Sequence, residues 1–165
     1  MISRRTAITA AVVALTVVAA TTVLLHTRLF SGGGPGEVPA VLASEVSAQV
    51  TPLVEQHISA AWSGDRIGCA TRVFGVEPAA ARTPADVRTA YVWAQCTTIG
   101  TGIDSGTVLP AAVRLGPAPS VDTPQDGSYA ADVERIFPPR LRDLAYGDTR
   151  PDLSAAVAAR VAALD

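Results

Sequence analysis

Two segments of this 165-residue chain carry one cysteine each: "IGCATRVFGVEP" holds Cys69 and "DVRTAYVWAQCTTIG" holds Cys96. They are the only cysteines in the sequence. Both segments are rich in β-branched and aromatic residues, and "PAAARTPA" between them contains two prolines, so two strands joined by a longer loop are predicted. Placing Cys69 opposite Cys96 in an antiparallel pair sets Arg72 against Trp93, Phe74 against Tyr91, Thr71 against Ala94 and Val73 against Val92. Aromatic pairs and an Arg over Trp are favourable across strands. One face then carries Cys69, Thr71, Val73, Ala90, Val92, Ala94 and Cys96, all small. A slip of one residue would put the two cysteines on opposite faces.

Opposed residues in an antiparallel pair have Cα atoms about 4.5–5.5 Å apart, within reach of a disulfide. A Cys69–Cys96 disulfide is therefore predicted, and closing its loop of about 26 residues is worth about 3–4 kcal/mol in the chain-entropy model. Zinc would need four ligands, and the exposed part of the chain adds only His57. No metal or other cofactor is expected. The C-x-x-C spacing of a redox pair is absent, and a thiol nucleophile would need a base such as His57 and would have to escape pairing.

The N-terminus places Arg4 and Arg5 before an uncharged stretch, Thr6 to Leu25. Such a run of about 20 residues matches the hydrocarbon thickness of a bilayer. It ends in "VLLHTRLF", which offers no small-x-small cleavage site, so an uncleaved single-pass anchor is expected, with the N-terminus cytoplasmic and the remainder extracytoplasmic. The alternative is secretion after signal cleavage. Residues 1–30 are thus read as a cytoplasmic stub and transmembrane anchor or signal segment. Residues 31–40, beginning "SGGGPGEVP", are read as a Gly/Pro-rich linker, and 41–165 as the extracytoplasmic domain.

All thirteen basic residues are Arg, and the chain lacks Lys and Asn, which fits GC-rich bacterial coding and removes special meaning from any one surface Arg. Beyond residue 30 there are ten Arg against fifteen Asp plus Glu, a formal charge of about −5. Nucleic acid is not an expected partner, since phosphate binding needs clustered positive charge. The expected contacts are the membrane, through residues 6–25, and an envelope protein or polymer.

Within the domain, Leu42, Val46, Val50, Leu53, Val54, Ile58, Ala61 and Trp62 recur at helical spacing, with Pro52 marking either a second start capped by Thr51 or a kink. A third strand is predicted over "GTVLPAAVRLG", with Leu109, Ala111, Val113 and Leu115 on one side and Pro110 assigning it to an edge. Ser128 starts a short helix through Ile136, Pro138 and Pro139 break it, and another short helix runs to Tyr146 with Gly147 as its stop. The Arg-rich "ERIFPPRLRD" reads as solvated helix surface. Pro151 begins a last helix with Leu153, Val157, Val161 and Leu164 on one stripe. The expected fold is α+β: a small three-stranded antiparallel sheet, an N-terminal helix and two or three C-terminal helices, with the helices on one face.

No motif names a reaction. "IGTGIDSG" has the wrong glycine spacing for a phosphate loop, Asp122 and Asp126 fit no calcium loop, and Ser105 and Ser128 lack a nucleophile-elbow context. The candidate binding patch is the sheet face away from the cysteines, where Arg72, Phe74, Tyr91 and Trp93 gather; if exposed, such residues supply binding hot spots, and otherwise they are core. The expected function is a non-catalytic interaction or accessory module of the bacterial envelope. The alternatives are a small secreted hydrolase or carbohydrate-active domain using His57 or a carboxylate pair, and a small-ligand domain with its pocket between the sheet and the first helix.

Overall fold

The computed structural model describes residues 37–62, 66–99, 106–147 and 150–164. The anchor assigned to residues 6–25 and most of the linker lie outside them. Among the described residues no helix is long and apolar enough to cross a membrane.

The first element, α1 (Ala40–Ala61), begins directly after Pro39, whose carbonyl accepts from the Ala43 amide. It is one helix rather than two, with Pro52 on its exposed side and the buried stripe continuing past it. One turn back, the Ser47 carbonyl accepts from the hydroxyls of Thr51 and Thr71, and those hydroxyls lie 2.7 Å apart. Leu42, Val46, Val50, Val54 and Ile58 form the buried stripe at the spacing the sequence predicts.

The sheet has four strands, not three: β1 (Ile67–Glu77), β2 (Thr89–Thr98), β3 (Gly106–Arg114) and β4 (Ser120–Asp122), paired antiparallel in chain order. The strand missed by sequence is β4, three residues too short for any alternation to register. It pairs only with Ala112, Val113 and Arg114 of β3. Pro110 therefore sits where β3 is still an outer strand, although β3 as a whole is interior, and its missing N–H costs no ladder bond there.

Between β1 and β2 the register is the one the cysteines demand, with Cys69 opposite Cys96, Thr71 opposite Ala94, Arg72 opposite Trp93 and Val73 opposite Val92. Cys69 and Cys96 form a disulfide, with Cα atoms 4.1 Å apart. Past Val73 the register shifts by one at a bulge, so that Gly75, not Phe74, faces Tyr91. The shift also carries Val76 to the cysteine side, opposite Ala90.

The helices occupy both faces of the sheet, not one. On the cysteine face α1 seals a core in which Val46, Val50, Val54, Val92 and Val113 are fully buried, together with Val73, Val76 and the disulfide. The β1–β2 connection, with a turn of 3-10 helix at Pro84–Asp86, adds Ala81 and Val87 to that core. On the opposite face α2 (Tyr129–Ile136) and α3 (Pro139–Tyr146) close a second core of Tyr91, Ala112, Val133, Phe137, Leu141 and Ala145. Their break falls at Pro138 and Pro139 and their end at Gly147, whose φ of 101° is a left-handed cap conformation. Arg142 is not a solvated side chain: its guanidinium donates to the Glu134 and Phe137 carbonyls, satisfying the end of α2. The last helix, α4 (Ser154–Leu164), starts three residues later than Pro151 suggests.

Candidate functional site

The residues proposed as a binding patch lie on the face covered by α2 and α3, and two of the four are not available to a partner. Trp93 is 2 % exposed and Tyr91 4 %. The Trp93 indole N–H donates to the Leu144 carbonyl at 3.1 Å, and the Arg150 guanidinium lies 5.4 Å from the centre of its ring. The cation on Trp93 is thus Arg150 rather than Arg72, its neighbour across the strands. Phe74 is half-buried, in ring contact with Trp93 and Phe137, and Tyr91 also meets Phe137. The aromatic set is the centre of the second core, because both sheet faces are apolar and a helix layer was present for each.

Arg72 remains exposed. Among the described residues its guanidinium has no ion-pair partner, unlike Arg114, Arg135, Arg140 and Arg160. What survives of the patch is this cation with the accessible side of Phe74 behind it.

Polar groups that sequence reading missed cluster where the second core meets solvent. The Tyr91 hydroxyl donates to the Glu77 carboxylate at 2.9 Å, and Arg140 bonds both that carboxylate and the Val76 carbonyl. Burial, with the Glu77 hydrogen bond and charge adding to it, pushes the Tyr91 phenol up to about 12. It therefore stays protonated and serves as a fixed donor. Asp132, 8 % exposed, accepts from the Ser128 hydroxyl at 2.6 Å, from Arg135 and from the Gln125 amide. These bonds, the Ser128 hydroxyl foremost, hold its carboxyl at about 2. Both acids stabilise the fold: Asp132 ties the loop before α2 to its first turn, and Glu77 anchors α3 to β1. The partners of Asp132 are all within seven residues of it, whereas no local pattern announced the role of Glu77, whose partners come from β2 and α3.

His57 is half-buried on α1, and among the described residues no three His, Cys, Asp or Glu side chains converge as metal ligands. Two shallow depressions flank Pro78, one lined by Ala80, Ala81, Ala85, Asp86 and Arg88 and the other by Glu77, Arg88 and Thr89. The Asp86 carboxylate there is occupied by the Thr83 hydroxyl and the Thr83 and Arg82 amides, which hold its pKa below the ordinary value. Comparison of the chain with family models, curated proteins and solved structures gave no match.

Proposed function

We propose that this chain is a single-pass, membrane-anchored extracytoplasmic protein of a bacterial envelope, whose α+β domain is a non-catalytic interaction or accessory module. The observation that carries this reading is the disulfide, fully buried between adjacent strands, in a chain whose N-terminus offers Arg4 and Arg5 followed by 20 uncharged residues, Thr6 to Leu25. Disulfides persist in oxidising compartments, and that stretch is long enough to hold the domain outside the bilayer. A non-catalytic role is favoured because the half-buried or buried acids Glu55, Glu77 and Asp132 and the Tyr91 phenol, the groups a His57-based or carboxylate-pair mechanism would draw on, are each committed to bonds that join parts of the fold. A pocket between the sheet and α1 is disfavoured by the valines that fill that space.

The partner is expected to meet Arg72 and the outer side of Phe74, and to present acidic groups. Crosslinking on intact cells followed by purification of the full-length chain tests this. Arg72→Glu should lose the crosslinked species while leaving stability within about 0.5 kcal/mol, as expected for an exposed site. Retention of the same species by the variant excludes that surface. Fractionation tests the anchor, because full-length protein should sediment with membranes; a shortened soluble form in the medium would instead support secretion.

A further inference from the structure

The C-terminal helix stands apart from both cores. None of its residues belongs to either apolar cluster, and only Val157 among them is buried. Much of its remaining surface is exposed alanine, at 155, 156, 158, 159, 162 and 163. What holds α4 is a set of specific contacts at the start of β1 and the end of β2. Gln95 accepts from the Leu153 amide and donates to the Ser154 hydroxyl, so one side chain fixes the helix start. Arg160 grips Glu55 of α1 through two bonds of 2.8 and 2.7 Å. Glu55 in turn accepts from the Cys69 amide at 3.0 Å, a donor that faces away from β2 at the sheet edge. Arg66 donates to the Leu164 carbonyl at the far end. Between these points the helix comes so close that a Cβ on Gly68 would lie 2.7 Å from a Val161 methyl.

We propose that α4 is a strap that undocks from the sheet as a unit while both cores stay folded. Its release uncovers Gly68, on which Val161 packs, and frees the Glu55 carboxylate beside the Cys69 amide. The physical basis is a division of labour among the helices. Apolar burial, which makes folding cooperative, is spent on α1, α2 and α3. Along α4 only Val157 is buried, with Val161, Leu164 and the preceding Leu153 partly so, and the rest of its attachment is a few charge-assisted and amide hydrogen bonds, which break locally. Segments with few buried apolar contacts open at lower free energy than the core. The Glu55–Arg160 pair is the latch, because it joins α4 to the helix on the other face of the sheet.

Hydrogen exchange on the full chain in detergent, with the disulfide intact, reads this directly. Backbone amides from Val157 to Leu164 should exchange at least about a hundredfold faster than those of Val92 and Ala94, which open only with the core. Arg160→Ala removes a bidentate charged bond, and Gly68→Ala pushes Val161 off the strand. Each should speed α4 exchange about tenfold or more with no change at Val92 and Ala94. Equal protection of α4 and β2 overturns the proposal, as do variants that speed both together or that leave α4 unchanged.

Discussion

Gly75 and Asp132 show how much single positions decide here. A Cβ at Gly75 would run into the Leu141 side chain, so the glycine is what lets α3 settle over the bulge in β1. Gly75→Ala should cost about 1–3 kcal/mol, as overpacking does, and urea denaturation measures it. Asp132 carries a pH dependence of definite sign. Its carboxyl is held at about 2 against an ordinary 3.8, so its contribution is complete above about pH 4 and is lost as the pH falls toward 2. Asp132→Asn, which cannot titrate, should be less stable than the parent at pH 7, and the gap should close between pH 4 and 2 in the same denaturation assay. The pairing of Thr71, Arg72 and Val73 with β2 was legible from the cysteines, since one matched pair fixes its neighbours. The bulge was not, because a matched pair of cysteines fixes the register only as far as the ladder runs unbroken, and the Leu141 side chain that packs on Gly75 comes from some 66 residues away in sequence.

Among the elements, the helices announced themselves through punctuation and the sheet through its cysteines. Pro138, Pro139 and Gly147 fixed α2 and α3 because each forbids or favours a backbone state on its own. Pro52 left two readings, a second helix start or a kink, and the packing of Val46, Val50, Val54 and Ile58 decides for one continuous helix through it. A proline inside an exposed helix face still costs the helix a hydrogen bond. Pro52→Ala should therefore raise stability by about 1–2 kcal/mol, part of the gain being offset by a looser unfolded chain, and thermal unfolding would register it. The side on which the aromatic residues would be covered was not legible. Alternation separates two faces but cannot say which helices will come to either, and here α2 and α3 arrive from more than thirty residues further along the chain.

Across the described domain a sheet lies between two helical layers, with the disulfide in the core beneath α1. Cys69 and Cys96 are each 1 % exposed, so reductant should reach them only when the core opens. Replacing either cysteine by serine should lower stability by about 3–4 kcal/mol and by nearly the same amount, read as equal shifts in denaturant midpoint. Thiol labelling of the native parent should find no free thiol, while the same labelling after unfolding in reductant should find both. The two cysteines are also the only ones in the chain, and they sit 27 residues apart on neighbouring strands. A second intramolecular pairing does not exist, so oxidative folding of a single chain needs an electron acceptor but no reshuffling catalyst. The bond can close once β2 has met β1, which frees the maturation of this domain from the slow isomerisation that delays proteins with several disulfides.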